Sequence, residues 1–217
     1  NRNITDMSYM FAKTTSEDID ISTLYSANVV TMKSMFEDSL VTKLDKRNLN
    51  TAKVRDMSGM FAGSKLPSND INTFNTNSLT NMSKMFYNAK TTNLTMNNIN
   101  TTKVVDMSSL FEGSSMSTLN LKGVDTTAVT NMSNMFKNSG LTSIDLSTTN
   151  TQNVTTMRGI FEGTKINNID ISSWNTAKVS DMSRMFMSSS SLITGIDKIK
   201  TTALTNASYM FYNHSKI

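Results

Sequence analysis

The 217-residue chain has no cysteine, one proline, one histidine, one tryptophan and eight glycines. Without cysteine it builds no disulfide, thiolate zinc site or thiol nucleophile, though the redox compartment stays open because a packed repeat core needs no covalent staple. The single histidine, His214, lies near the end of the sequence at a position that is small or hydroxylic in other repeats, so it suits capping the last coil better than acid–base chemistry. No glycine-rich loop of the phosphate-cradling kind is present. No apolar run approaches the ~18 residues of a membrane span, and no stretch reads as a signal peptide. Net charge is +4, but lysine and arginine are scattered without a run of five like charges, which excludes the basic stripe of a nucleic-acid binder.

What the chain does have is a period. Methionine falls at Met7, Met32, Met57, Met82, Met107, Met132, Met157 and Met182, with Ala207 at the ninth place. Four residues later comes Phe11, Phe36, Phe61, Phe86, Phe111, Phe136, Phe161, Phe186 or Phe211, so the motif Met-Ser-x-Met-Phe returns every 25 residues. A fixed period of this size is the signature of a solenoid, each repeat being one supersecondary unit that buries its apolar face against its neighbours. Most of the 18 methionines belong to this register. A soft-metal role for them is outweighed by a core role, because thioethers fill irregular gaps and pack well against rings.

The residue before each first methionine is Asp6, Thr31, Asp56, Asn81, Asp106, Asn131, Thr156, Asp181 or Asn206, all helix N-cap formers. Two residues after each phenylalanine, six of nine positions are Gly or Asn, which tolerate a left-handed C-terminal cap. Met, Met and Phe at i, i+3 and i+4 share one helical face, so the spacing predicts a short capped helix, α or 3₁₀, held by packing. A second element alternates with period two, as in Ile19-Asp20-Ile21, Leu94-Thr95-Met96, Leu119-Asn120-Leu121, Ile144-Asp145-Leu146 and Ile169-Asp170-Ile171, and predicts a half-buried strand. Apolar residues three before each first methionine, Ile4, Val29, Val54, Leu79, Val104, Val129, Val154, Val179 and Leu204, predict a short extended segment.

Function is expected on the polar rows between these elements. The outward strand row, with its flanks, gives a candidate binding face of Asp20, Asp45, Arg47, Asp70, Asn120, Lys122, Asp145 and Asp170, beside Asp18, Lys43 and Asp197. Stacked solenoids use such faces for ligands, although a solvated ladder of Asp beside Lys and Arg has the same composition. No loop carries the alternating acidic spacing of a calcium site, and no metal, cofactor or catalytic residue is expected. A second row joins Asn or Asp to Thr at Asn50-Thr51, Asn75-Thr76, Asn100-Thr101, Asp125-Thr126, Asn150-Thr151 and Asn175-Thr176, residues that close turns and form ladders. With the doubled Thr102, Thr127 and Thr202 it also raises a water-ordering array, which Ala52, Asn77, Gln152 and Ala177 interrupt. Lys46 and Asn69 replace apolar residues at inward strand positions, and Leu192-Ile193-Thr194-Gly195-Ile196 predicts a bulge or one-residue slip.

The segments Ile4-Thr5-Asp6-Met7-Ser8-Tyr9-Met10-Phe11 and Val179-Ser180-Asp181-Met182-Ser183-Arg184-Met185-Phe186 resemble the repeat of DUF285, or BspA-like, bacterial surface proteins. That repeat is built on Val-Thr-Asp-Met-Ser-x-Met-Phe and Leu-x-x-Leu-Asp-Leu-Ser, and the resemblance covers all nine repeats. Where such proteins often have a cysteine after the phenylalanine, this chain has Ser39, Ser64, Ala89, Ser114 or Ser139, which keeps a small inward residue. The expected fold is an α/β solenoid, a leucine-rich-repeat-like right-handed coil of nine 25-residue repeats over residues 1–217, the first and last incomplete. Both ends fall within a repeat, which suggests a piece of a longer surface protein. The resemblance implies a secreted or lipid-anchored protein that binds a host or cell-surface protein or glycan and touches membrane only through an anchor outside this chain. A structural, self-associating and immune-exposed stalk is the alternative.

Overall fold

The computed structural model describes residues 3–65, 70–96 and 99–216, and shows a repeat protein of strands and turns. Among the described residues six short strands are present: β1 (Asp18–Asp20), β2 (Lys43–Asp45), β3 (Asn93–Thr95), β4 (Thr118–Asn120), β5 (Asn168–Asp170) and β6 (Leu192–Thr194). They pair in parallel as β1–β2, β3–β4 and β5–β6, three separate two-stranded sheets. The first two pairs join residues 25 apart, Ile19 to Leu44 and Leu94 to Leu119. The third joins Ile169 to Ile193, 24 apart, so the predicted slip is real. It is absorbed at Gly195, whose φ of 91° needs glycine and where an added Cβ would press on the Ser172 backbone.

Opposite the strands, one ladder is unbroken. Parallel bridges run Asp6, Thr31, Asp56, Asn81, Asp106, Asn131, Thr156, Asp181 and Asn206, each to the next. The residues predicted as N-caps are these bridge residues. Their side chains still accept the N–H two residues on, as at Asp56 Oδ1 from Ser58 (2.8 Å), Asn131 Oδ1 from Ser133 (3.0 Å) and Asp181 Oδ1 from Ser183 (2.8 Å), closing a turn that no helix follows.

The predicted capped helices are absent: among the described residues there is no α-helix, and Met-Ser-x-Met-Phe folds as consecutive turns. In the fourth repeat, Met85, Tyr87 and Ala89 donate back three residues to Met82, Lys84 and Phe86. The alternate N–H groups of Met82, Lys84, Phe86 and Asn88 donate across to Asp106, Ser108, Leu110 and Glu112 of the next repeat at 2.8 to 3.0 Å. Left-handed residues make this alternation possible, at Lys84 (φ 57°) and Asn88 (φ 51°), and their equivalents recur in all nine repeats. The physical reason is donor supply. A helix this short leaves its first four N–H groups without partners, whereas the stacked turns give every second one a carbonyl in the neighbouring repeat. The left-handed residue two after Phe was expected; the one between the two methionines was not.

The inward rows form one core. The first methionines from Met32 to Met182 and the valines and leucine from Val29 to Val179 are fully buried, and Ser39, Ser64, Ala89, Ser114 and Ser139 are buried as expected. Nine phenylalanine rings, Phe11 to Phe211, stack with centroids 5.5 to 5.9 Å apart. Phe74 and Trp174 hold the same place in their repeats and extend the stack sideways onto Phe61 (6.3 Å) and Phe161 (5.9 Å). His214 sets its ring edge-on to Phe186 and Phe211, beside the last two rings of the stack.

Candidate binding face

The strand face is not the continuous ribbon its sequence predicts. In the third repeat the 3₁₀ turn Asp70–Thr73 stands where a strand would be, and Asn69 lies outside the described residues. In the sixth, Ile144-Asp145-Leu146 alternates well in sequence but forms no strand. Its repeat carries Thr149 at a place that is Leu24, Leu49, Phe74, Ile99, Val124, Trp174 and Ile199 elsewhere, and a void of 10 Å³ remains there beside Phe136 and Trp174. An inward threonine supplies too little apolar contact to seat this segment like its neighbours.

Surface grooves fall at these two breaks. One, of 570 Å³, is lined by Asp18, Lys43, Asp45, Lys46 and Arg47 around Leu44, Leu49 and Phe74. Lys46, out of place on an inward row, is half-buried on its wall. In the sixth repeat a 430 Å³ groove runs between Leu119-Asn120-Leu121-Lys122 and Asp145 with Thr148. A smaller one of 150 Å³ lies on the other side of Asp145, against Asn168 and Asp170. The candidate residues therefore gather in two groups: Asp45 with Arg47, and Asn120, Lys122, Asp145 and Asp170 around the sixth repeat. Asp20 sits on β1 beside the first group, and Asp70 opens the 3₁₀ turn. Asp197 is apart from both groups, in an exposed ion pair with Lys198 (2.8 Å).

Five acceptors of this row also have a local task. Asp20, Asn120, Asp145 and Asp170 accept the N–H two residues on, from Ser22, Lys122, Ser147 and Ser172, at 2.8 to 2.9 Å. Asp45 does so from Arg47 (3.3 Å) and is gripped by the same residue's guanidinium, Nε at 2.9 Å and Nη2 at 2.8 Å. These bonds hold the carboxyls below the usual aspartate range: the side chains, then the backbone N–H groups, of Ser22, Ser147 and Ser172 act on Asp20, Asp145 and Asp170, and Arg47 acts on Asp45. The face is thus ionised at neutral pH and fixed in direction by its turns.

The pH dependence of stability follows. A carboxyl with a lowered folded pKa binds fewer protons folded than unfolded, so its contribution is complete above about pH 4 and is lost as pH falls through the folded value. His214, whose pKa burial lowers, is also disfavoured by acid, beginning below its ordinary value near 6.5. Urea midpoints should show a small decline below about pH 6.5 and a steeper one below about pH 4. In His214→Gln only the first should vanish, and an early decline unchanged in that variant contradicts the assignment.

The threonine file is buried, not displayed. Thr101, Thr126, Thr151 and Thr176 are at most 5% exposed, and each hydroxyl clamps the next repeat. The water-ordering array therefore has no surface there. The Asn or Asp preceding each threonine closes a turn by accepting the N–H two residues on, as predicted. Among the described residues no three His, Asp or Glu are placed to hold a metal ion, and no helix is long and apolar enough to cross a membrane.

These features define a class: a 25-residue repeat protein whose turns stack in register and whose polar strand face is opened by grooves. A family described as "Mycoplasma protein of unknown function, DUF285" matches over residues 1–93, 55–168 and 106–217, and the chain belongs to it. No curated protein and no solved structure matches the chain.

Proposed function

We propose that the chain is a non-enzymatic binding module of a bacterial surface protein, a leucine-rich-repeat-like right-handed solenoid forming one array, which presents its polar strand face to a host protein or glycan. The observation that carries this reading is the two groups of ionised and amide side chains set around the 570 and 430 Å³ grooves. Concave surfaces with convergent polar groups are where ligands bind, and stacked repeats commonly bind along one face. An extracellular setting agrees with a core that needs no thiols, and no acid–base pair is singled out by its surroundings.

The test is a fourfold variant, Asp45→Asn, Arg47→Gln, Asp70→Asn and Asp145→Asn, applied to arrays of host surface proteins and glycans. Asn120 accepts its turn N–H through an amide oxygen (2.9 Å), so asparagine should keep the turns and the unfolding midpoint should fall only slightly. Binding to the arrayed ligand should be lost. Binding that persists in a fully folded variant overturns the face.

A further inference from the structure

The break at the sixth repeat leaves main-chain groups of β4 open. In a parallel pair alternate residues turn their N–H and C=O to opposite sides. Leu119 pairs across from Leu94 in β3, while Asn120 O accepts the Met96 N–H of the preceding repeat (3.4 Å) and Ser117 O accepts the Thr142 N–H of the sixth (3.5 Å), so the groups of Leu119 and the N–H of Leu121 face the sixth repeat. Among the described residues, none of these three groups has a hydrogen-bond partner, and the same holds for the N–H and C=O of Asp145 across the gap. Yet Leu119 and Leu121 are only 9% and 8% exposed. Three unpaired main-chain groups in a row at strand spacing form the edge that an added strand reads.

We propose that the groove between β4 and Asp145 takes up an extended peptide as an added strand, held by the N–H and C=O of Leu119 and the N–H of Leu121. This rests on the binding role of the strand face and names the partner chemistry at one place on it. The groove's 430 Å³ supplies the room. Its rim carries one charge of each sign, Lys122 and Asp145, which suits a segment without net charge. Its floor is closed, since the void beneath holds only 10 Å³, about one water. Recognition is therefore of main chain more than of large side chains.

The probe is acetyl-Thr-Ser-Ile-Asn-Leu-Ser-amide, the sequence of residues 142–147 with asparagine for Asp145 so that it carries no charge, whose alternation suits a strand; the control is the same peptide N-methylated at Ile and Leu. Added up to millimolar concentration to the whole ¹⁵N-labelled chain, the probe should shift the Leu119 and Leu121 amides saturably and slow their exchange at least tenfold. Emission from Trp174, the only tryptophan and a neighbour of the void, should move with the same saturation curve. The N-methylated peptide should do neither. The proposal is overturned if both peptides act alike, if neither acts, or if the two amides are already as protected as those of the β3–β4 pair, which would mean that residues 143–146 close the gap themselves. Binding of the arrayed host ligand by the parent chain is read separately: host-ligand binding that is intact in a protein deaf to the peptide removes this inference alone.

Discussion

Replacing Phe111 with alanine should destabilise the chain by about 4–6 kcal/mol. The side chain is fully buried and its ring stacks on Phe86 and Phe136, both 5.8 Å away. Phenylalanine-to-alanine in a core costs about 3–5 kcal/mol through lost transfer energy and the cavity left behind. Each stacked ring partner adds about 0.5–1.5 kcal/mol beyond area, and here two are lost at once. The cavity cannot close by local collapse, because the flanking repeats are fixed by the bridges from Asn81 to Asp106 and from Asp106 to Asn131. Phe11→Ala is the internal comparison: that ring is only partly buried and stacks on Phe36 alone, so it should cost less than half as much. Stability in a repeat array is the sum of units and interfaces, so a break in the middle should also uncouple the two halves. Urea unfolding followed separately at Trp174 and by far-UV circular dichroism should give coincident transitions in the parent and separated ones in Phe111→Ala. Equal costs at Phe11 and Phe111 would show that the ring stack does not couple the repeats.

The same stack shows how far the sequence could be read. Period, inward rows and the identity of the core were legible because burial follows residue type, and every Phe in the register takes the place its spacing predicts. The helix was misread because Met, Met and Phe at i, i+3 and i+4 converge equally well on a helix and on a run of turns with a left-handed residue between. The distinguishing signal was present: Gly59 and Gly159 stand two residues after the first methionine and Gly63, Gly113 and Gly163 two residues after the phenylalanine, so glycine recurs at two places four residues apart. One left-handed residue ends a helix; two so close together leave no room for one. The polar face was legible as a row but not as a shape. Its grooves depend on the seating of the third and sixth repeats, which rests on single departures such as Thr149 beside Trp174. The open edge at Leu119 and Leu121 was invisible in sequence, since Leu119-Asn120-Leu121 reads as well as any strand and only its neighbour's displacement leaves it unpaired.

The buried threonines make the second large prediction, because they do work that their ladder-like spacing concealed. Thr126 Oγ1 donates to the carbonyl of Asn150 at 2.8 Å and accepts the N–H of the same residue at 2.8 Å. Thr101 does the same to Asp125, Thr151 to Asn175 and Thr176 to Lys200. One hydroxyl therefore satisfies both main-chain groups of a residue in the next repeat, at a bend where no strand partner reaches them. Thr126→Val keeps the shape and removes both bonds, leaving a buried-side N–H and C=O unsatisfied at about 1–2 kcal/mol each, so the expected loss is about 2–4 kcal/mol. Thr127→Val, one residue on and exposed, should stay within about 0.5 kcal/mol of the parent. Thr126→Ser separates hydroxyl from methyl. In the first repeat Ser26 Oγ already accepts the Asn50 N–H at 2.6 Å, so serine can reach the equivalent group, and the serine variant should recover most of the loss. Amide exchange at Asn150 should quicken in Thr126→Val and return toward the parent rate in Thr126→Ser. If valine and serine cost the same, the hydroxyl clamp is not what joins these repeats, and methyl packing in the buried file carries the interface instead.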